Sequence, residues 1–279
     1  MASEDYGDNF ALRKITIVAS GCPEPDLVSV RRSIESDSRI SLITEPVRRG
    51  KAEAIDRIMG DAAGEYLVML NSDAFPTEGS IRNLLEVAED PRVGAVSAEP
   101  IFGEGGGLLQ HALSLMWSAH SLMSLRLNHA GISNHACDEL ILVKRDLVSR
   151  FPANIVNDGA YIGGLVQAQG FLVKFSTAAK VVISVPRIPM DLIRQRRRII
   201  FGHVQVWKKL GNPPRTIESM LFMQPSASFR ILSKVLSERP RLILALPLVI
   251  VGESAAALMA FLDSFRSSGR HVVWRRNVE

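Results

Sequence analysis

The first hundred residues alternate between two kinds of segment, and that alternation constrains the fold more than any single motif. "KITIVAS" (14–20), "RISLIT" (39–44), "YLVML" (66–70) and "VGAVSA" (93–98) are short, apolar and β-branched, as buried strands are. Between them lie residues 26–35, "KAEAIDRIM" (51–59) and "SIRNLLEVA" (80–88), which place apolar side chains on one helical face. The last of these has Ser80 as its cap. Strand–helix alternation of this kind predicts an α/β domain with a mainly parallel sheet. Ligands in such sheets bind beyond the carboxyl ends of the strands. The third strand runs there into "NSDAFP" (71–76), which presents Asp73.

Past residue 100 the pattern loosens. "GEGGG" (103–107) breaks the chain before a long apolar helix at 108–127, on which His111 and His120 read as packed side chains rather than metal ligands. Further strands are expected at 140–143 and 172–175, and "NDGAYIGG" (157–164) opens a helix. Asp158 is favoured there by the helix dipole, either as a simple cap or as a general base aimed into a cleft.

Charge is concentrated rather than large. The net formal charge is +4, but from Arg194 to Arg241 a run of arginines and lysines is opposed only by Glu218 and Glu238. Such a block suits phosphates, an anionic lipid surface or nucleic acid, and no nucleic-acid module accompanies it. Its densest part, "RQRRRIIFGHVQVW" (194–207), could grip a diphosphate bidentately or touch lipid. "RRGK" (48–51), just before a helix, is either a phosphate-receiving turn or a solvated basic one. Cys22 and Cys137 lie far apart in no metal spacing, which suits a reducing compartment.

The segment 242–262, "LILALPLVIVGESAAALMAFL", is long enough to cross a bilayer core of about 30 Å. It reads either as a membrane segment or as a buried helix pair broken at Pro247 or Gly252. Arg239 and Arg241 on one side, and Arg266 and Arg270 on the other, favour the membrane. Glu253, its lone charge, must then face protein or water.

Taken in order, "RRGK", "NSDAF", "NDGAYIG" and "QRRRI" resemble the family 2 glycosyltransferases, over roughly residues 15–211. The tail loosely resembles the membrane segment of the archaeal-type, membrane-associated branch. Aligned to the family, the chain opens at what would be its second strand. The resemblance implies a GT-A-type nucleotide-diphospho-sugar transferase fold and an inverting reaction. It implies Asp73 as ligand to Mn2+ or Mg2+, and Arg49, Lys51, Asp73, Gln195, Arg197 and Arg198 as donor-binding residues. Asp158 would be the base that deprotonates an acceptor hydroxyl. Implied partners are a nucleotide-diphosphate sugar donor, a lipid-linked or glycan acceptor and a membrane, with the catalytic domain cytoplasmic. A relative that binds without catalysis is the second reading. The expected organisation is a catalytic domain at 1–211, a basic connector at 212–241, a membrane helix at 242–263 and a basic tail at 264–279.

Overall fold

The computed structural model describes residues 6–103, 105–265 and 271–273. Arg266 and Arg270, and with them most of the basic tail, lie outside the described residues. The expected alternation is present: β1 (Ile15–Ser20), α1 (Glu24–Ile34), β2 (Ile40–Glu45), α2 (Lys51–Asp61), β3 (Tyr66–Leu70), then a short β4 (Ala74–Pro76), α3 (Ser80–Ala88) and β5 (Val93–Ile101). After it come α4 (Leu108–His129), β6 (Leu140–Lys144), α5 (Asp158–Ala168) and β7 (Leu172–Ile183).

The mainly parallel sheet expected from the alternation is corrected by the topology. β1 and β2 form a parallel pair of their own. The other five strands form one mixed sheet in the order β3-β6-β5-β7-β4. Only β5 and β7 run parallel in it; β6 is antiparallel to both β3 and β5, and β4 is antiparallel to β7. The reason is β6: it follows the long return of α4, and so it re-enters the sheet from the opposite end. Its "LILV" run is buried on both faces. Ile141 and Val143 join the core under α2 and α5 with Met59, Ile162 and Val166. Leu140 and Leu142 join the core under α3 with Ile81, Leu84 and Val96. Continuous apolarity marks two-sided burial, and strand direction does not enter into it.

The basic block folds into α6 (Pro189–Leu210), α7 (Ile217–Met223) and α8 (Pro225–Glu238), followed by a 3-10 turn and α9 (Leu246–Asp263). Pro189, Pro225 and Pro247 fall at helix starts, where a missing N–H costs nothing. The stretch Pro240–Asp263 contains an 18-residue window with a mean hydropathy of 2.2 and is long enough to cross a membrane, yet α9 packs along α6 and α4. Both its acids turn inward. Glu253 takes Arg196 Nε at 2.6 Å, and the fully buried Asp263 takes Arg197 through two bonds of 2.6 and 2.7 Å.

Candidate active site

α2 begins abruptly because Gly50 has a φ of 112°, a conformation that side chains avoid. A Cβ there would lie 2.8 Å from Val272 Cγ1, so the glycine also lets residues 271–273 lie against the helix start. The next residue is Lys51. Its ammonium is 2.7 Å from Asp158 Oδ2 and 3.1 Å from Asp138 Oδ2. Asp158 opens α5, whose cap is Asn157, with Oδ1 accepting from the Ala160 amide at 2.9 Å.

Gly159 explains how two carboxylates from different elements come so close. A Cβ at that position would sit 2.5 Å from the Ala136 carbonyl and 2.9 Å from Asp138 Cβ. Only a residue without one lets the first turn of α5 press on the segment that carries Asp138.

The three charges perturb one another. Burial alone would lower the Lys51 ammonium, but the two acids outweigh it and raise its proton affinity. Burial likewise works to raise Asp138, and Lys51 overrides it, holding that carboxyl well below the usual range. In Asp158 burial wins: its carboxyl is pushed up to about 6, against the pull of Lys51 and with the charge of Asp138 adding to the rise. Exposure differs in the same sense, since the Asp138 side chain is 31% exposed and that of Asp158 only 5%. Beside them Glu139 is pushed up to about 8 by burial and by the charge of Asp138.

The turn bearing Asp73 lies against this cluster. The register Leu70↔Leu140 carries on past the strand ends, and the Asn71 amide donates to the Glu139 carbonyl at 3.1 Å. Asn71 Oδ1 is buried without a hydrogen-bond partner. Among the described residues no three acids, histidines or cysteines are grouped to hold a metal ion on their own. An orphaned amide oxygen two residues from a carboxylate nevertheless fits Mg2+ or Mn2+. Such ions take hard oxygen ligands, few of them from protein and the rest from phosphate and water.

The remaining expected donor residues are placed unevenly. Arg198 reaches this region: its charge is felt by Asp138, and its guanidinium donates to the carbonyls of Val156 and His271. Gln195 is half-buried one turn earlier on α6. Arg49 pairs with Glu53 at 3.1 Å on the helix surface. Arg197 is committed to Asp263, and Arg196 to Glu253 and Glu218, so these two tie helices together rather than joining Lys51 and Asp158. His120 packs edge-on between Trp117 and Phe175, with Nε2 3.5 Å from Cys137 Sγ. Burial lowers it to about 3, so it is neutral.

Sequence reading missed Asp138 and Glu139. The signal was present: an acidic pair in "ACDELILV", immediately before an apolar strand. An acid at a strand's amino end lies far from the site in a parallel sheet. Here β6 is antiparallel to β3, and its amino end sits beside the carboxyl end of β3. A groove of about 500 Å³ opens nearby, where Ser184–Arg187 follow β7 opposite the Gly105–Gly107 loop.

A mixed sheet with Asp73 on a β3–β4 turn, faced by a helix-borne acid and lysine, defines a GT-A-like α/β fold. Residues 13–150 match the family model Glycosyl transferase family 2, and the chain belongs to that family. Among solved structures it is similar to the mannosyltransferase PcManGT from Pyrobaculum calidifontis, in complex with GDP-Man and Mn2+. That match has 19% identity and a TM-score of 0.63, and covers 91% of this chain and 78% of that one. It also matches glucosyl-3-phosphoglycerate synthase from Mycobacterium tuberculosis in complex with phosphoglyceric acid, at 15% identity and a TM-score of 0.45, over 72% of this chain and 70% of that one. No curated protein sequence matches the chain.

Proposed function

We propose that this protein is an inverting, divalent-metal-dependent glycosyltransferase. It takes a sugar from a nucleotide-diphosphate donor and moves it to a hydroxyl of a lipid-linked or glycan acceptor. The observation that carries this reading is the Lys51–Asp158–Asp138 cluster packed against the turn bearing Asp73. Asp73, with Asn71 Oδ1, would hold Mn2+ or Mg2+. That ion, when bound, supplies positive charge to the diphosphate as it leaves. Lys51 has three donors and spends two on Asp158 and Asp138, so one is available to a phosphate oxygen. Arg198 and Gln195 approach from α6. A carboxylate facing the acceptor accepts its hydroxyl proton as the sugar carbon is attacked from the side opposite the diphosphate, which inverts that carbon. PcManGT, in complex with GDP-Man and Mn2+, lends the donor and metal classes by analogy.

The membrane enters as a surface to lie on. Phe222 is 90% exposed, and Leu244, Val251, Leu258, Phe261 and Phe265 are also turned outward. Arg230, Lys234, Arg239 and Arg241 are exposed close by in sequence. With Glu253 and Asp263 both hooked to α6, we read α9 as resting in the headgroup layer of the cytoplasmic leaflet with the domain attached. A donor screen with Mn2+, Mg2+ or chelator tests the central claim. Turnover of at least one nucleotide sugar is expected, lost on chelation and in Asp73→Ala. Metal-independent turnover that Asp73→Ala leaves intact would overturn it.

A further inference from the structure

The geometry points to Asp138, rather than Asp158, as the carboxylate that touches the acceptor hydroxyl, with Asp158 behind it as the group that receives the proton next. This rests on the glycosyl-transfer reading above and names the base within it.

Three observations converge. First, both acids are held by one ammonium, at 3.1 and 2.7 Å, so they form one unit. Second, they are unequally accessible: Asp158 is sealed beneath α2 and α5, whereas Asp138 keeps a third of its side chain open. A base must come within hydrogen-bond reach of the proton it takes, and only Asp138 offers such an approach. Third, Asp138 precedes β6 beside the turn that carries Asp73, so it faces the region where the donor diphosphate would lie.

The two carboxyl groups meet at the same ammonium, and the Gly159 turn presses their backbones together, which sets Asp158 next in line for the proton. In the step, the acceptor oxygen forms a bond to the sugar carbon while the bond from that carbon to the diphosphate oxygen breaks. The electron pair of the broken bond leaves with the nucleoside diphosphate. The acceptor proton passes to Asp138 and from there to Asp158, its neighbour on the Lys51 ammonium. No oxidant or further reactant is needed. The groups facing Asp138 are Lys51 from α2, Asp158 from α5, Arg198 and His203 from α6, and Cys137, Glu139 and His135 from its own segment. Burial holds His135 to about 4 and His203 well below its ordinary value, so both are neutral near neutral pH and resist taking up a proton in place of the carboxylate pair.

The test compares Asp138→Asn, Asp138→Glu and Asp158→Asn with the wild-type chain, using the donor found by the screen. The readouts are kcat, donor Kd by calorimetry and the pH–rate profile. Asp138→Asn should lose at least about 100-fold in kcat with donor Kd within about threefold, since general-base assistance is worth roughly that much. Asp138→Glu should recover part of the rate, which excludes a folding defect. Asp158→Asn should lose less and move the acid limb of the profile to lower pH, because Asp138 then works alone beside Lys51. The assignment is overturned if Asp138→Asn keeps kcat within about threefold while Asp158→Asn abolishes transfer; that result leaves the glycosyl-transfer reading standing. A wild-type chain inert with every donor overturns both.

Discussion

Replacing Lys51 with methionine tests the electrostatics of the site without reference to any substrate. The ammonium stands 2.7 and 3.1 Å from two carboxylates. At an effective dielectric constant of about 20, each contact is worth roughly 5–6 kcal/mol of gross attraction. Most of that is offset by the cost of desolvating three charges. Removing one partner from a fully buried cluster costs about 3–5 kcal/mol. Lys51 is 36% exposed and Asp138 31%, so solvent screening trims the expected loss to about 2–3 kcal/mol. Its pH dependence is the sharper signature. The Asp158 carboxyl is already pushed up to about 6 from an ordinary 3.8, and loss of the cation raises it further. A group with a raised folded-state value contributes stability at low pH and loses it as pH rises through that value. The Lys51→Met deficit is therefore largest near pH 8 and smaller near pH 5.5, by about 1.4 kcal/mol for each unit of added rise. Urea unfolding followed by circular dichroism at the two pH values measures it. A deficit below about 0.5 kcal/mol at both, or one that grows as pH falls, would refute the reasoning.

Two further outcomes follow from the packing. Asp263→Asn removes the buried anion beneath Arg197 and should lower stability by about 2–3 kcal/mol, and α9 should become the first site of cleavage in limited proteolysis. Gly159→Ala drives a methyl into the Ala136 carbonyl and Asp138 Cβ; it should cost about 1–3 kcal/mol in urea unfolding and depress donor turnover more than donor affinity.

The sequence disclosed elements better than their arrangement. β3 and α3 fall on the residues that periodicity marks, because each buries one clean set of apolar side chains. Strand direction left no such trace. "LILV" in β6 is apolar throughout whichever way it runs, so the mixed sheet, and the acids it delivers beside Asn71, were not legible. Asp158 and Lys51 stood out in the sequence because helix starts carry recognisable residues, and the structure sets the two in contact. The arginine run was misleading for a physical reason. Adjacent arginines on a helix point about 100° apart, so Arg196, Arg197 and Arg198 face different neighbours even though they stand together in the chain.

The two hooks between α6 and α9 have a mechanical consequence. Glu253 and Asp263 stand ten residues apart on α9, a lever arm of about 15 Å, yet they are gripped by neighbouring arginines. A helix pinned at two such points resists swivelling about its partner, so a torque on α9 is carried to α6. The residue after the second grip is Arg198, which holds the carbonyls of Val156 and His271 at the edge of the carboxylate cluster. Tilting the apolar helix would thus reach the chemistry as a rotation of one rigid rod, with no hinge between them to absorb it.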